Sequence, residues 1–174
     1  MKSLKELLEV REPIPYQLYC DMDGVLTDFH GRFQYFSGMS PDAYEKKYGK
    51  AAFWNLVDKE VGIQFWARME WMKGGKELWN FIKPYYPTLL TSPSKDDTSR
   101  LGKNIWVKDH IQPAPKVIFA YSEDKHKYAT PLSVLIDDKK SNIEEWRAAG
   151  GIGLRCVYGN IAPVIKELKK LGFR

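Results

Sequence analysis

Short apolar runs alternate with helical patterns of apolar residues along this chain. The apolar runs predict five buried strands, near residues 17–20, 86–91, 117–120, 132–136 and 152–158. The helical patterns predict helices near residues 3–12, 76–82, 96–111, 142–150 and 160–171. This alternation predicts an α/β fold with a Rossmann-like core and a parallel sheet.

Two of the predicted strands end in a pair of aspartates. Asp21 and Asp23 follow the first apolar run. Asp137 and Asp138 follow the fourth. Ligands of open α/β sheets bind at the carboxyl ends of the strands. Alternate residues of a strand point in opposite directions, so the first strand must end near Asp21 for its two carboxylates to converge, and Gly24 allows the sharp turn. A carboxylate can attack phosphorus, and a second carboxylate can act as general acid and base.

The segment from Asp21 to Asp28, Asp-Met-Asp-Gly-Val-Leu-Thr-Asp, resembles the first motif of the haloacid dehalogenase (HAD) superfamily, whose members are mostly Mg2+-dependent phosphotransferases. The resemblance implies that Asp21 is the nucleophile that forms an aspartyl-phosphate. It implies that Asp23 is the general acid and base, with a backbone carbonyl that helps to hold Mg2+. The second aspartate pair resembles the last motif, in which we expect Asp138 to bind the metal directly and Asp137 to act behind it or through water. An acidic surface turn is the alternative, because Asp-Gly is common in turns.

Two more segments resemble HAD motifs in the expected order. Thr91 and Ser92 end the second strand, where a hydroxyl contacts the transferred phosphoryl group in that family. A helix-capping cluster is the alternative for these hydroxyls. After the third strand, a lysine is needed to offset the charge of the nucleophile and the phosphate. Lys125 lies nearer the exit of the strand, whereas Lys127 better fits the spacing to the last motif. We expect Lys125 to be the phosphate-binding lysine, with Lys127 as the alternative.

The segment 29–83 is rich in aromatic residues and predicts two to four helices. We expect it to form a helical cap over a core made of residues 1–28 and 84–174. The order of its aromatics resembles the 5'(3')-deoxyribonucleotidases, in which matching side chains enclose the base and the sugar. That resemblance gives four substrate-contacting candidates, which are Phe29, Phe53, Trp54 and Trp66. Packing of these aromatics inside the protein is the alternative.

Charge and cysteine content narrow the class of protein. The formal net charge of +5 suits an anionic substrate, although a solvated basic surface is the default. We expect the basic residues of the helix at 96–111 to be solvated. Cys20 and Cys156 both lie in apolar runs, which predicts buried, reduced thiols. Neither a signal peptide nor a membrane-spanning stretch is evident, so we expect a cytoplasmic protein with no membrane partner.

The expected function is hydrolysis of a phosphomonoester with Mg2+ as cofactor. The preferred substrate is a small phosphate ester, namely a (deoxy)nucleoside 5'-monophosphate. One alternative is a HAD phosphatase for another small ester, such as a sugar phosphate. The others are an enzyme for nucleic-acid ends and a non-catalytic nucleotide-binding protein. We do not expect nucleic acid as a partner, and a homodimer stays open because small caps depend on dimer contacts in some HAD proteins.

Overall fold

The computed structural model describes residues 13–174, which form a five-stranded sheet with helices on its faces. The strand order is β3-β2-β1-β4-β5, and every neighbouring pair is parallel. The strands are β1 (Gln17–Cys20), β2 (Thr88–Thr91), β3 (Val117–Phe119), β4 (Ser133–Asp137) and β5 (Ile152–Arg155). The predicted Rossmann-like α/β core is therefore confirmed. The helix predicted for residues 3–12 lies outside the described residues.

Side chains of the central strands enter two separate apolar cores. In β1, Leu18 joins the larger core and Tyr19 packs against the smaller one. In β4, Val134 and Leu135 divide in the same way. Because successive side chains of a strand point to opposite faces, this division shows that both faces of the sheet are covered. Because both faces are covered, most residues of these strands are apolar, which explains the near-continuous apolar runs in the sequence.

The connection from β1 to β2 carries most of the helices in the first half of the chain. These are α1 (Phe29–Ser37), α2 (Pro41–Tyr48), α3 (Lys50–Trp54), a π-helix (Asn55–Val61), α4 (Ile63–Ala67) and α5 (Gly75–Ile82). The prediction of two to four helices was wrong, because a π-helix divides α3 from α4. The boundaries proposed for the cap stay a prediction.

The second half of the chain alternates strands with single helices. The α-helices are α6 (Asp97–His110), α7 (Lys140–Ala148) and α8 (Ala162–Lys170), and a 3-10 helix spans Ser122–Tyr128. Another 3-10 helix, Lys83–Tyr85, lies just before β2. Asp96 caps the N-terminus of α6, and its carboxylate accepts a hydrogen bond from the amide of Thr98. Helices α5, α6 and α8 pack in the larger core, and α7 packs in the smaller one.

The segment after α3 packs closely on α6. A Cβ added at Gly102 of α6 would lie 2.4 Å from the Trp66 Cβ and 2.7 Å from the carbonyl oxygen of Ile63. Only glycine allows this approach of α4. Asp58 of the π-helix accepts hydrogen bonds from the hydroxyls of Ser94 (3.0 Å) and Thr98 (3.3 Å). The inserted helices are thus held both to α6 and to the loop that precedes it.

Cys20 and Cys156 are free and buried, as predicted. Among residues 13–174, no helix is both long enough and apolar enough to cross a membrane.

Candidate active site

The carboxyl ends of β1 and β4 bring a lysine and two aspartates together. Cys20 of β1 pairs with Ile136 of β4, so Asp21, which follows β1, and Asp137, the last residue of β4, lie side by side. The Nζ atom of Lys125 lies 3.0 Å from the Asp21 Oδ1 and 2.7 Å from the Asp137 Oδ2. Lys125 belongs to the 3-10 helix after β3, and only 1% of its side chain is exposed. A buried ammonium group therefore lies between two buried carboxylates.

Burial and pairing act in opposite directions on these groups. Burial raises the pKa of Asp21 well above its usual value, Lys125 opposes this rise, and the neighbouring aspartates add to it. Burial disfavours the charge of Lys125, but the carboxylates of Asp21 and Asp137 outweigh burial and raise the pKa of Lys125 above its usual value. The lysine therefore stays charged at physiological pH.

The two aspartates at the end of β4 have different surroundings. Both oxygens of Asp137 accept hydrogen bonds: Oδ2 from Lys125 and from Asn142 Nδ2 (3.0 Å), and Oδ1 from the Lys139 amide (2.9 Å). The carboxylate of Asp138 lies against Gly24, where an added Cβ would come within 2.3 Å of Oδ2. Burial, followed by the charge of Asp137, raises the pKa of Asp138 to about 6.

The chemistry of this acidic group fits a divalent cation. Asp21, Asp137 and Asp138 each place one carboxylate oxygen within 4.8 Å of the others. Hard oxygen donors of this kind suit Mg2+. Burial, and then the nearby charge of Asp137, disfavours the charged form of Asp138, and a bound cation would favour that form. The side chain of Asp23 is not in this group, which leaves the role predicted for its backbone carbonyl as a proposal.

Asp23 and Thr91 are joined by a buried lysine of α6. Lys103 of α6 is fully buried, and its Nζ donates to the Asp23 Oδ2 (2.8 Å), the Thr91 Oγ1 (2.8 Å) and the Ser92 carbonyl oxygen (2.7 Å). The other oxygen of Asp23 accepts a hydrogen bond of 2.9 Å from the Thr27 hydroxyl. The expectation of solvated basic residues in this helix was wrong for Lys103.

A signal for Lys103 was present in the sequence. Ser99, Lys103 and Trp106 stand at helical spacing, and all three are buried on one face of α6. A lysine inside the apolar face of a helix needs an anionic or polar partner. The pattern therefore indicated a buried charge, although not the residue that pairs with it.

The other residues predicted for the phosphate site differ in exposure and in their partners. Thr91 is fully buried at the end of β2, and the Ser92 hydroxyl lies 3.4 Å from the Ser122 hydroxyl. Lys127 is exposed and pairs with Asp124 at 2.6 Å. Of the two lysines considered, Lys125 is the one that the structure places at the aspartates.

The four aromatic candidates form one contiguous group. The Phe29 ring lies 6.2 Å from the Phe53 ring and 5.6 Å from the Trp66 ring, and Phe53 lies 4.9 Å from Trp54. Phe53 and Trp66 keep only 6% and 1% of their surface exposed, whereas Phe29 and Trp54 are half-buried. Interior packing thus accounts for much of Phe53 and Trp66. The Lys103 Nζ also lies 5.1 Å from the centroid of the Trp66 ring, which links this group to Asp23.

Comparisons with known proteins identify the fold. No family model and no curated protein matches the chain. A haloacid dehalogenase-like family hydrolase from Xanthomonas campestris is similar in structure, with a TM-score of 0.54 and 17% identity over 91% of this chain and 99% of that one. A hydrolase from Streptococcus pneumoniae TIGR4 gives a TM-score of 0.52 and 18% identity over 87% and 99% of the two chains.

A third similar structure is a HAD family enzyme from Bacteroides thetaiotaomicron in a magnesium complex. Its TM-score is 0.51, with 14% identity over 89% of this chain and 99% of that one. None of these three proteins is described as a deoxyribonucleotidase. At these identities the likeness concerns the fold, and the chain has the fold of the HAD hydrolases.

Proposed function

We propose that this protein is an Mg2+-dependent phosphomonoesterase that works through an aspartyl-phosphate on Asp21. The observation that carries the proposal is the contact of Asp21 with Lys125 at the carboxyl end of β1, beside the acidic group completed by Asp137 and Asp138. A nucleophilic carboxylate needs a nearby cation when it approaches an anionic phosphate. Lys125 meets this need because it is buried and charged.

The proposed reaction has two steps, and Asp23 acts in both. An Asp21 oxygen attacks phosphorus, the bond from phosphorus to the ester oxygen breaks, and Asp23 gives its proton to the leaving oxygen. Asp23 then takes a proton from water, which attacks the same phosphorus and releases phosphate from Asp21. Thr91 and Ser92 donate hydrogen bonds to the phosphoryl oxygens, while Lys125 offsets their charge.

Asp21, Asp138 and the Asp23 carbonyl are the proposed Mg2+ ligands, with Asp137 behind them. Both oxygens of Asp137 already accept hydrogen bonds, which favours Asp138 as the direct ligand. When bound, the cation offsets the charge of the phosphoryl oxygens and of the carboxylates. The magnesium complex of the Bacteroides thetaiotaomicron enzyme, which has the same fold, supports this choice of metal.

The proposed substrate is a (deoxy)nucleoside monophosphate, with the base against the aromatic group. Phe29 and Trp54 are the first candidates for stacking, because they keep exposed surface. Stacking of one base on an aromatic side chain contributes about 1–3 kcal/mol. Trp66 would contribute from behind through its contact with Phe29.

The test is phosphate release from a panel of nucleoside monophosphates and sugar phosphates, with Mg2+ or EDTA. We expect Mg2+-dependent turnover of a subset of nucleotides that Asp21→Asn abolishes. We expect Trp54→Ala to raise KM for nucleotides and leave sugar phosphates unchanged, while Tyr86→Ala, at an exposed site before β2, changes neither. Turnover of sugar phosphates alone would keep the mechanism and contradict the base site. A folded protein that turns over nothing would contradict the phosphatase.

A further inference from the structure

We propose that Lys103 is a positioning residue that fixes both Asp23 and Thr91 for the reaction. The inference rests on the phosphatase proposed above and adds a second buried lysine to it. Lys125 contacts the proposed nucleophile, whereas Lys103 contacts the proposed acid and base. The two ammonium groups thus have separate partners.

The hydrogen bonds of Lys103 show why it acts through other residues. A lysine ammonium has three N–H donors. In Lys103 all three meet protein oxygens, at 2.7–2.8 Å, on Asp23, Thr91 and Ser92. None is left for a phosphate oxygen. Lys103 is therefore placed to hold the groups that contact the substrate, without contacting the substrate itself.

Each of these bonds has a consequence for its partner. Thr91 Oγ1 accepts from Lys103, so the hydroxyl proton of Thr91 is free to point at a phosphoryl oxygen. Asp23 accepts from Lys103 on Oδ2 and from Thr27 on Oδ1, so the plane of its carboxylate is fixed from both sides. Such preorganisation lowers the cost of reaching the reactive geometry.

The surroundings of Lys103 keep this arrangement rigid. The side chain is fully buried, and Trp66 faces its ammonium group at 5.1 Å from the ring centroid. Gly102, the residue before Lys103, lets α4 approach closely enough to place Trp66 beside the ammonium group. A buried ion pair is weak evidence for a role in stability alone, because desolvation consumes much of its attraction. The contact with the proposed acid and base gives this pair a function.

The test compares two substrates that differ in the leaving group. Hydrolysis of an alkyl phosphate needs a proton donor, whereas an aryl phosphate such as p-nitrophenyl phosphate releases a stable phenolate and needs it much less. We expect Lys103→Met to lower kcat for the alkyl phosphate by about 10²-fold or more, which is the usual contribution of general acid catalysis. For the aryl phosphate, the loss of kcat should be about ten times smaller. Lys108→Met, on an exposed position of the same helix, is the matched control and should change neither rate.

A double-mutant cycle tests whether the effect passes through Asp23. In the Asp23→Asn background, Lys103→Met should cause a clearly smaller loss on the alkyl phosphate than in the wild type, because the part that passes through Asp23 is already absent and only the part through Thr91 is left. Equal losses of kcat on both substrates, or additive losses in the cycle, would overturn the proposal and leave Lys103 as a brace between α6 and β2.

Two controls separate the other outcomes. If Lys103→Met does not fold, Lys103→Gln replaces it, and 15N NMR of the lysine ammonium groups gives an independent result. A Lys103 signal protected from solvent exchange in the wild type and shifted in Asp23→Asn supports the proposal, whereas a rapidly exchanging one overturns it. A folded wild type that is inactive on both phosphates contradicts the phosphatase itself, and this inference falls with it.

Discussion

The substitution Asp138→Asn should stabilise the metal-free protein at neutral pH, although it removes a proposed metal ligand. In the folded protein, burial and then the charge of Asp137 raise the pKa of Asp138 from 3.8 to about 6. The folded protein therefore binds this proton more tightly than the unfolded chain does. Above about pH 6 Asp138 must ionise in the folded protein, and this lowers the free energy of unfolding. Asparagine has nearly the same shape and does not ionise, so it avoids this loss.

The size of the effect follows from the pKa difference. A pKa shift of one unit corresponds to about 1.4 kcal/mol, so the rise of the Asp138 pKa from 3.8 to about 6 lowers the free energy of unfolding by about 3 kcal/mol. Between these two values the folded protein holds more protons than the unfolded chain, so the free energy of unfolding falls as pH rises. In a chain of this length, 1 kcal/mol changes Tm by about 2–4 °C. We therefore expect Asp138→Asn to raise Tm by about 6–12 °C at neutral pH.

The assay is thermal unfolding by circular dichroism in EDTA, from about pH 4 to about pH 8. The Tm difference between Asp138→Asn and wild type should open as pH rises and close towards pH 4. Asp109→Asn, at an exposed position of α6, is the matched control and should show no such opening. Added Mg2+ should raise the Tm of the wild type and not that of Asp138→Asn. A variant less stable than wild type near pH 8, or a gap independent of pH, would refute the reasoning.

Three further substitutions and one control variant test the packing and the charges, and denaturant unfolding measures the stability of each. Gly102→Ala should lower the free energy of unfolding by about 1–3 kcal/mol, because its methyl group would meet Trp66; unchanged stability would contradict the close packing of α4. Lys125→Met should cost about 3–5 kcal/mol and all activity, because it leaves buried carboxylates unpaired. The exposed Lys127→Met should change little, and equal effects of the two would contradict the assignment. Asp58→Ala should cost about 1–3 kcal/mol and make the inserted helices more sensitive to limited proteolysis; unchanged proteolysis would contradict their attachment through Asp58.

The strands and their acidic ends could be predicted because two independent signals coincide there. An apolar run marks a buried strand, and a polar group at its end marks the edge where ligands bind. Asp21 and Asp137 meet this condition, and the parallel register of β1 and β4 then places them side by side. Neither signal depends on contacts between distant parts of the chain.

Other features depend on such contacts and could not be predicted. The partner of Lys103 is Asp23, which lies in another element and is 80 residues away in the chain. No pattern of residues distinguishes the π-helix at Asn55–Val61 from an α-helix, so the position of Asp58 in a π-helix could not be predicted from the sequence. The aromatic content of the segment 29–83 predicted burial or stacking but could not show that Trp66 faces a lysine.

The contact between Trp66 and Lys103 connects the packing of the inserted helices to the proposed chemistry. Trp66 reaches Lys103 only because α4 lies directly on Gly102, and Lys103 in turn holds Asp23. A change at Gly102 should therefore shift the proposed acid and base without touching it. Lys125 and Asp21 meet at the carboxyl ends of the strands and do not depend on α4. The proposed nucleophile is thus positioned by the sheet, whereas the proposed acid and base is positioned through α6 and the inserted helix packed on it.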